Sequence, residues 1–525
     1  MKLFASSVRP VALAVSVLCL AGTAHSAPVA EDDDDTPTRM IVVFKKGAGA
    51  NGRAALHGLR GHIRHEMHGE DGVAVELPRR MLKSLRNHQH IERFEEDVKR
   101  YPLATTSPST GAPYALGQLV PWGIKAVQAD QLPDTYVGNR KICIIDSGYD
   151  RSHEDLDKDT VRITGEYDSG TGNWYTDENH HGTHVAGTIA ALNNSGKGVV
   201  GVNSNGRLKL HIVKVFGADG WAYSSTLASA ANKCAAAGAN VISMSLGGAS
   251  SSQTEKKAFD QLASKGILSI AAAGNDGNTA VSYPAGYTSV MSVGAIDENK
   301  QWASFSQYNS KVEIAGPGVA VLSTVPMGSG SNSALTVGAT TYAPGAMDGS
   351  PKATVTAPLA DFGLGNAVNT AMAGKVCLIQ RGTIDFATKV SNCKSSGGVA
   401  AVVYNNAAGG FGGTMGTTVT TIPSVTASDT EGAAMKNQLG QNATVAVTAT
   451  NYAYFDGTSM ATPHVSAVAA LVWSYFPTCT AAQMRSSLTK AAEDLGPVGR
   501  DTKFGYGLVR AKATYDRIAS KGCGL

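Results

Sequence analysis

Across 525 residues the formal net charge is only +3, so nothing in the overall charge argues for nucleic acid. None of the seven cysteines forms a C-x-x-C pair, which removes the usual zinc spacing. Beyond the N-terminus no stretch reads as a transmembrane helix. Charged residues are 17% and hydrophobic residues 43%, so neither a disordered nor a membrane composition is present. What is plentiful is glycine, 59 residues, with frequent alanine, which suits close helix–sheet packing and many tight turns. The length exceeds one ordinary core, so at least two folded units are expected besides any processed segment.

Lys2 and Arg9 lead into a short apolar run over residues 10–21, and Ala24-His25-Ser26 ends it. This pattern predicts a secretory signal over 1–26, cut after Ser26 with Ala24 and Ala27 as rival sites. A secreted, extracellular protein without a membrane anchor follows. Cys19 leaves with the signal, and the six remaining cysteines favour disulfides in an exported chain over buried free thiols. Residues 31–35 form an unbroken acidic run, read as a solvated linker.

Residues 39–103 read as a small α/β unit, with strands over 40–44, 72–77 and 91–98 and helices over 52–61 and 80–87. Residues 104–114 have linker composition. From about 115 to 325, strands alternate with helices, the mark of a parallel sheet covered on both faces. Strands are predicted over 141–145, 210–216, 240–245, 268–272 and 290–295, and helices over 182–193, 226–237 and 254–265. Residues 327–450 differ, with short apolar runs rich in Gly, Thr, Ala and Val. A long helix over 459–475 resumes the character of 115–325, so the middle block reads as an insertion.

Three separated segments carry chemistry. In Ile144-Ile145-Asp146-Ser147-Gly148 a carboxylate follows a buried strand, at the sheet end where α/β proteins place their sites. In His180-His181-Gly182-Thr183-His184 an imidazole opens a helix of small residues. In Gly457-Thr458-Ser459-Met460-Ala461-Thr462-Pro463-His464 a serine sits at a helix N-terminus, which favours developing negative charge. A serine hydroxyl needs a base to take its proton, and a buried carboxylate fixes that base's tautomer. Each residue alone is more often structural; the three together, in the order Asp, His, Ser, are specific. An α/β-hydrolase esterase is disfavoured, because Ala461 stands where its Gly-x-Ser-x-Gly elbow needs glycine and its chain order is Ser, Asp, His.

On these motifs the chain resembles the subtilisin-like serine proteases, or subtilases, over about 115–326 and 451–518. The resemblance implies an α/β fold with a parallel sheet and helices on both faces, over 115–326 and 451–525. It also implies a secreted serine endopeptidase acting through an acyl-enzyme on protein or peptide substrates. Asp146 would orient, His181 act as base and Ser459 as nucleophile; His180, His184 and His464 are the rival bases. Ala272-Ala273-Gly274-Asn275-Asp276-Gly277 resembles the subtilase segment whose Asn donates to the oxyanion, beside the Ser459 amide, with Thr458 in support. An ordinary Asn-Asp-Gly turn is the plain alternative. Ser245, Leu246, Gly247 and Gly248 would receive the substrate as an added strand, with Ala273 and Gly274 as opposite wall. Ser282 stands where well-known members have glycine at the pocket floor, which would shrink that pocket.

The accessory parts are read the same way. Residues 39–103 resemble a subtilisin propeptide, so that 27–103 is read as the propeptide, implying folding assistance and inhibition, against an unrelated binding module. Residues 327–450 resemble a mostly-β protease-associated domain through Gly374-Lys375-Val376-Cys377-Leu378-Ile379-Gln380-Arg381-Gly382, with substrate or partner contacts implied; a structural insertion is the alternative. Gln118, Asp155 and Asn194 match positions that hold structural Ca²⁺ in subtilisins, although Lys197 adds positive charge nearby; a solvated turn is the plain alternative. Cys377 should pair with Cys393, Cys479 with Cys523, and Cys143 with Cys234. A rival function is a secreted binding protein on an inactive protease scaffold.

Overall fold

The computed structural model describes residues 36–106, 118–167, 170–194, 196–345, 347–416 and 418–525. The predicted signal, the acidic run and most of the 104–114 linker lie outside them.

The centre of the molecule is a seven-stranded sheet, parallel throughout, in the order Val312–Pro317, Val290–Ile296, Leu268–Ala272, Val241–Met244, Lys141–Asp146, Lys209–Lys214, Ile163–Tyr167. A strand buried on both faces is a near-continuous apolar run, and Ile142-Cys143-Ile144-Ile145 is one. The alternation of the pleat then assigns each side chain to a layer. Ile142 and Ile144 join the core around the helices His181–Ala190 and Thr458–Tyr475. Cys143 and Ile145 face the other core, under the helices Ser224–Ala236 and Gln253–Ser264. Thr458–Tyr475 is buried from Thr458 to Ser474, as a helix apolar on every side must be.

The N-terminal unit is an antiparallel sheet in the order His62–Glu66, Gly72–Pro78, Pro37–Phe44, Ile91–Glu96. One face packs Val42, Phe44, Val73 and Val75 with Leu56 of the helix Gly49–Gly58. The other face presents Ile41, Val43 and Met67 to Ala228 and Ala258 of the large domain's helices. The predicted helix over 80–87 is shorter, a 3₁₀ turn and then Leu82–Leu85. The predicted strand over 91–98 stops at Glu96, because Asp97 turns its carboxylate into a helix end. Thr105 and Thr106, expected in a linker, pair as a strand with Tyr452–Asp456.

The insertion leaves the domain after Val321–Thr324 and returns at Tyr452–Asp456, two strands paired with each other. Between them lies a second seven-stranded sheet, Thr340–Tyr342, Gly330–Val337, Asn442–Thr450, Ala353–Asp361, Val376–Gln380, Ala400–Tyr404, Ser424–Ala427, with the helices Phe386–Ser395 and Asp429–Lys436. All three expected cysteine pairs are present: Cys143–Cys234, Cys377–Cys393 and Cys479–Cys523, with Cα–Cα distances of 5.6, 6.2 and 5.6 Å.

Candidate active site

Three adjacent strands of the parallel sheet end at one place. Lys141–Asp146 delivers Asp146, Val241–Met244 delivers Ser245, and Leu268–Ala272 runs into Gly274 and Asn275. Asp146 is fully buried; its Oδ1 accepts the His181 Nδ1–H at 2.7 Å and the Ser147 amide at 2.7 Å. The carboxylate thus places the imidazole proton on Nδ1 and leaves Nε2 free of any partner, turned to accept one.

The helix that carries His181 is held by Asp177, a residue no sequence motif singles out. Its carboxylate accepts from the His180 amide (3.0 Å), the Thr183 amide (2.8 Å) and the Thr183 hydroxyl (2.6 Å). It also accepts from Ser147 Oγ at 2.8 Å, which itself accepts the Gly182 amide, so strand end and helix start are locked together. Gly182 is required here, because a Cβ would lie 2.3 Å from the Gly148 carbonyl oxygen. The only signal in the sequence is an acid shortly before a helix start.

Ser459 opens the central helix one residue after Thr458. Pro463 has no N–H to give the Ser459 carbonyl, four residues back. The Ser245 hydroxyl donates to that carbonyl instead, at 2.7 Å, and the Ser459 hydroxyl donates to the Ser245 carbonyl at 2.8 Å. In this state the serine hydroxyl therefore faces Ser245, not His181. Two of the rival histidines, His184 and His464, are structural in their surroundings. His184 donates Nε2–H to the Val321 and Ala453 carbonyls and stacks on Phe455, and burial pushes it down to about 3. His464 donates Nδ1–H to the Met460 carbonyl, and burial pushes it down to about 4.

The chain's own strand Lys99–Pro102 crosses this centre. It pairs antiparallel with Leu246–Gly247 on one side and Ala222–Tyr223 on the other. The Leu103 amide donates to Ser459 Oγ at 3.1 Å and to the Ser245 carbonyl at 3.3 Å. The Leu103 carbonyl accepts from Asn275 Nδ2 at 2.8 Å. Thr458 settles which way that amide points: its N–H and hydroxyl both donate to Asn275 Oδ1, at 2.9 and 2.8 Å, so Nδ2 must face Leu103. Gly247 must lack a side chain, since a Cβ there would be 2.2 Å from Ser282 Oγ and 3.1 Å from Leu103 Cδ1. Gly247 therefore has Ser282 and the Leu103 side chain beside it. Gly248 pairs with Tyr283 through two backbone bonds. Of the expected opposite wall, the Ala273 amide bonds the Val293 carbonyl of the next strand and the Gly274 amide bonds Thr458 Oγ1.

Two carboxylates of the N-terminal unit bind the large domain's helix starts. Asp97 accepts from the Ser225 amide (2.9 Å) and hydroxyl (2.7 Å) and from the Ser224 hydroxyl (3.3 Å). Glu95 accepts from the Gln253 and Thr254 amides, at 2.7 and 2.6 Å. An anion at a helix N-terminus meets unpaired N–H groups and the positive end of the dipole.

At the predicted cation position, Asp155 is buried and accepts from Asn194 Nδ2 (2.9 Å) and the Val199 amide (2.8 Å). Burial pushes its carboxyl up to about 7. Gln118 Nε2 donates to the Leu192 and Val199 carbonyls and to Asn194 Oδ1, so three oxygens converge on one point. That donor set fits a hard cation. Lys197 is exposed. Among the described residues no group of three or more His, Cys, Asp or Glu could hold a metal.

A serine hydroxyl and an amide donor meeting on one peptide group, with an imidazole held by a buried carboxylate at the same sheet end, belong to a serine endopeptidase. The chain is a member of the Subtilase family, which residues 138–354 and 322–507 match. It is 43% identical over 216 residues to subtilisin DY from Bacillus licheniformis, covering 40% of this chain and 76% of that protein. It is 36% identical over 303 residues to subtilisin amylosacchariticus from Bacillus subtilis subsp. amylosacchariticus, covering 56% and 74%. Among solved structures it is similar to the psychrophilic subtilisin-like protease Apa1 from the Antarctic psychrotroph Pseudoalteromonas sp. AS-11. The TM-score is 0.59 and the identity 44%, covering 78% of this chain and all of that one.

Proposed function

We propose that the protein is a secreted serine endopeptidase made as a self-processing precursor. The observation that carries this is the Leu103–Ala104 peptide bond, whose carbonyl rests on Asn275 while the Leu103 amide rests on Ser459. The Ser459 hydroxyl turns from Ser245 and gives its proton to His181 Nε2 as its oxygen attacks the Leu103 carbonyl carbon. Asn275 Nδ2 holds the oxygen that becomes negative. Asp146 keeps the imidazole in its Nδ1–H tautomer and stabilises the imidazolium. His181 then gives the proton to the nitrogen of Ala104, which leaves, and the acyl-enzyme on Ser459 is released by water. Other peptides follow the same path, pairing with Leu246–Gly247 as Lys99–Pro102 does.

Residues 27–103 act as the propeptide and built-in inhibitor, supported by the docking of Asp97 and Glu95 on the two helix starts. Residues 104–114 link it to the catalytic domain over 115–326 and 451–525, and residues 327–450 are a protease-associated domain. The Cys377–Cys393 pair ties a strand of that insert to its helix and supports a stable surface for substrate or partner contacts. A structural Ca²⁺ would be held by Asp155, Gln118, Asn194 and the Leu192 and Val199 carbonyls, where it would neutralise the buried carboxylate. Secretion is supported by the N-terminal signal pattern and the cysteine pairs; no helix among the described residues is long and apolar enough to cross a membrane. A fluorophosphonate probe tests the reading: it should label Ser459 in the processed protein, and absence of an adduct there refutes it.

A further inference from the structure

Among the described residues the largest fully buried side chain is that of Arg100, in the strand that crosses the cleft. With Leu103 preceding the bond held at Ser459, Arg100 is the fourth residue before that bond. Its Nε and Nη2 donate to the two oxygens of Glu255, at 3.0 and 2.5 Å, and both side chains are fully buried. Nη1 donates to the Lys99 carbonyl of its own strand. On the far side the Glu255 carboxylate meets the Tyr287 hydroxyl at 2.6 Å. That hydroxyl is placed by the Ser252 amide and carbonyl, at 2.8 and 3.0 Å, and burial with the Glu255 charge holds it protonated. Gly248 leaves the space, because a Cβ there would lie 2.6 Å from the Lys99 carbonyl oxygen and 3.1 Å from Arg100 Nη1.

Glu255 and Tyr287 belong to the catalytic domain and stay when the N-terminal unit leaves. An acid turned into the cleft, with a phenol fixed behind it, then faces whatever side chain comes next. Without a cationic partner that carboxylate has to be solvated in a recess shaped for a guanidinium, which disfavours apolar and acidic occupants. We infer that Glu255 and Tyr287 form a specificity pocket for a basic side chain four residues before the cleaved bond, with Arg preferred over Lys. The preference for Arg follows from the two-pronged contact, which a planar guanidinium makes and an ammonium does not. This inference rests on the endopeptidase reading and on Lys99–Leu103 lying as a substrate lies.

The test uses the mature wild-type enzyme and four peptide p-nitroanilides, Xaa-Tyr-Pro-Leu, with Xaa as Arg, Lys, Ala or Glu. The order of kcat/KM should be Arg, Lys, Ala, Glu, with Arg over Ala by at least about 10-fold. Glu255→Gln should bring the Arg-to-Ala ratio to within about threefold; if that variant does not mature, the wild-type ratio alone decides. Arg and Ala peptides cut equally well by an enzyme whose Ser459 takes the fluorophosphonate would overturn this inference and leave the endopeptidase reading standing. No cleavage of any peptide together with no adduct on Ser459 would overturn both.

Discussion

Replacing Asp97 by Ala should loosen the inhibitory hold of the N-terminal unit without touching the catalytic centre. The Asp97 side chain has no exposure and bonds the Ser225 amide, the Ser225 hydroxyl and, more weakly, the Ser224 hydroxyl. Removing a capping acceptor costs about 0.5–2 kcal/mol, and a bond to a charged group is worth about 1.5–3 kcal/mol. Water entering the gap recovers part of the loss, so about 3 kcal/mol remains, or roughly 150-fold in affinity. Asp97→Asn keeps one acceptor oxygen and should lose about 10-fold. The assay is inhibition of mature enzyme by purified residues 27–103, wild type against variant. Asp97 also pairs with Arg39, so circular dichroism of the fragment checks its fold. An inhibition constant for Asp97→Ala within about threefold of wild type would refute the docking argument.

Asn275→Ala should lower turnover by about 100- to 1000-fold with little change in KM, the usual cost of one oxyanion donor, as peptide hydrolysis kinetics would reveal. His464 should make the fold acid-sensitive. Its folded-state value of about 4 lies below the unfolded value of about 6.5, so its contribution is complete above about pH 6.5 and is lost as pH falls towards 4. That is worth on the order of 3 kcal/mol, and urea midpoints of the Ser459→Ala protein at pH 7 and 4.5 should differ less once His464→Gln is added. Chelation should lower the melting temperature of the mature enzyme, and added Ca²⁺ should restore it; Asp155→Asn should remove that response.

The parallel sheet is legible in the sequence because strands buried on both faces are near-continuous apolar runs, and Ile142–Ile145 and Ile270–Ala272 are written that way. The cysteine pairs are legible for a related reason. Strand alternation turns Cys143 towards the helix bearing Cys234, and Cys377 and Cys393 bracket one strand and one helix. The central chemistry is legible because three rare motifs occur in one order. What the sequence conceals depends on contacts between distant segments. Asp177 looks like any acid before a helix until Ser147 arrives from another element. Glu255 looks like a third helix residue above a Ser252 cap until Arg100, 155 positions away, enters its recess. The strand predicted over 91–98 is too long because nothing local tells that Asp97 will turn to a helix end. The orientation of the Ser459 hydroxyl is equally hidden, since it follows from Pro463 and Ser245 acting together.

The central claim is that the precursor's own chain lies across Ser459 as its first substrate. N-terminal sequencing and intact mass of the product, made in a protease-free system, test it directly, with Ser459→Ala beside wild type. The account predicts a wild-type product that begins at Ala104 and a Ser459→Ala chain with the Leu103–Ala104 bond intact. Cleavage of that bond in the Ser459→Ala chain, or a first cut elsewhere in the wild type, would contradict it.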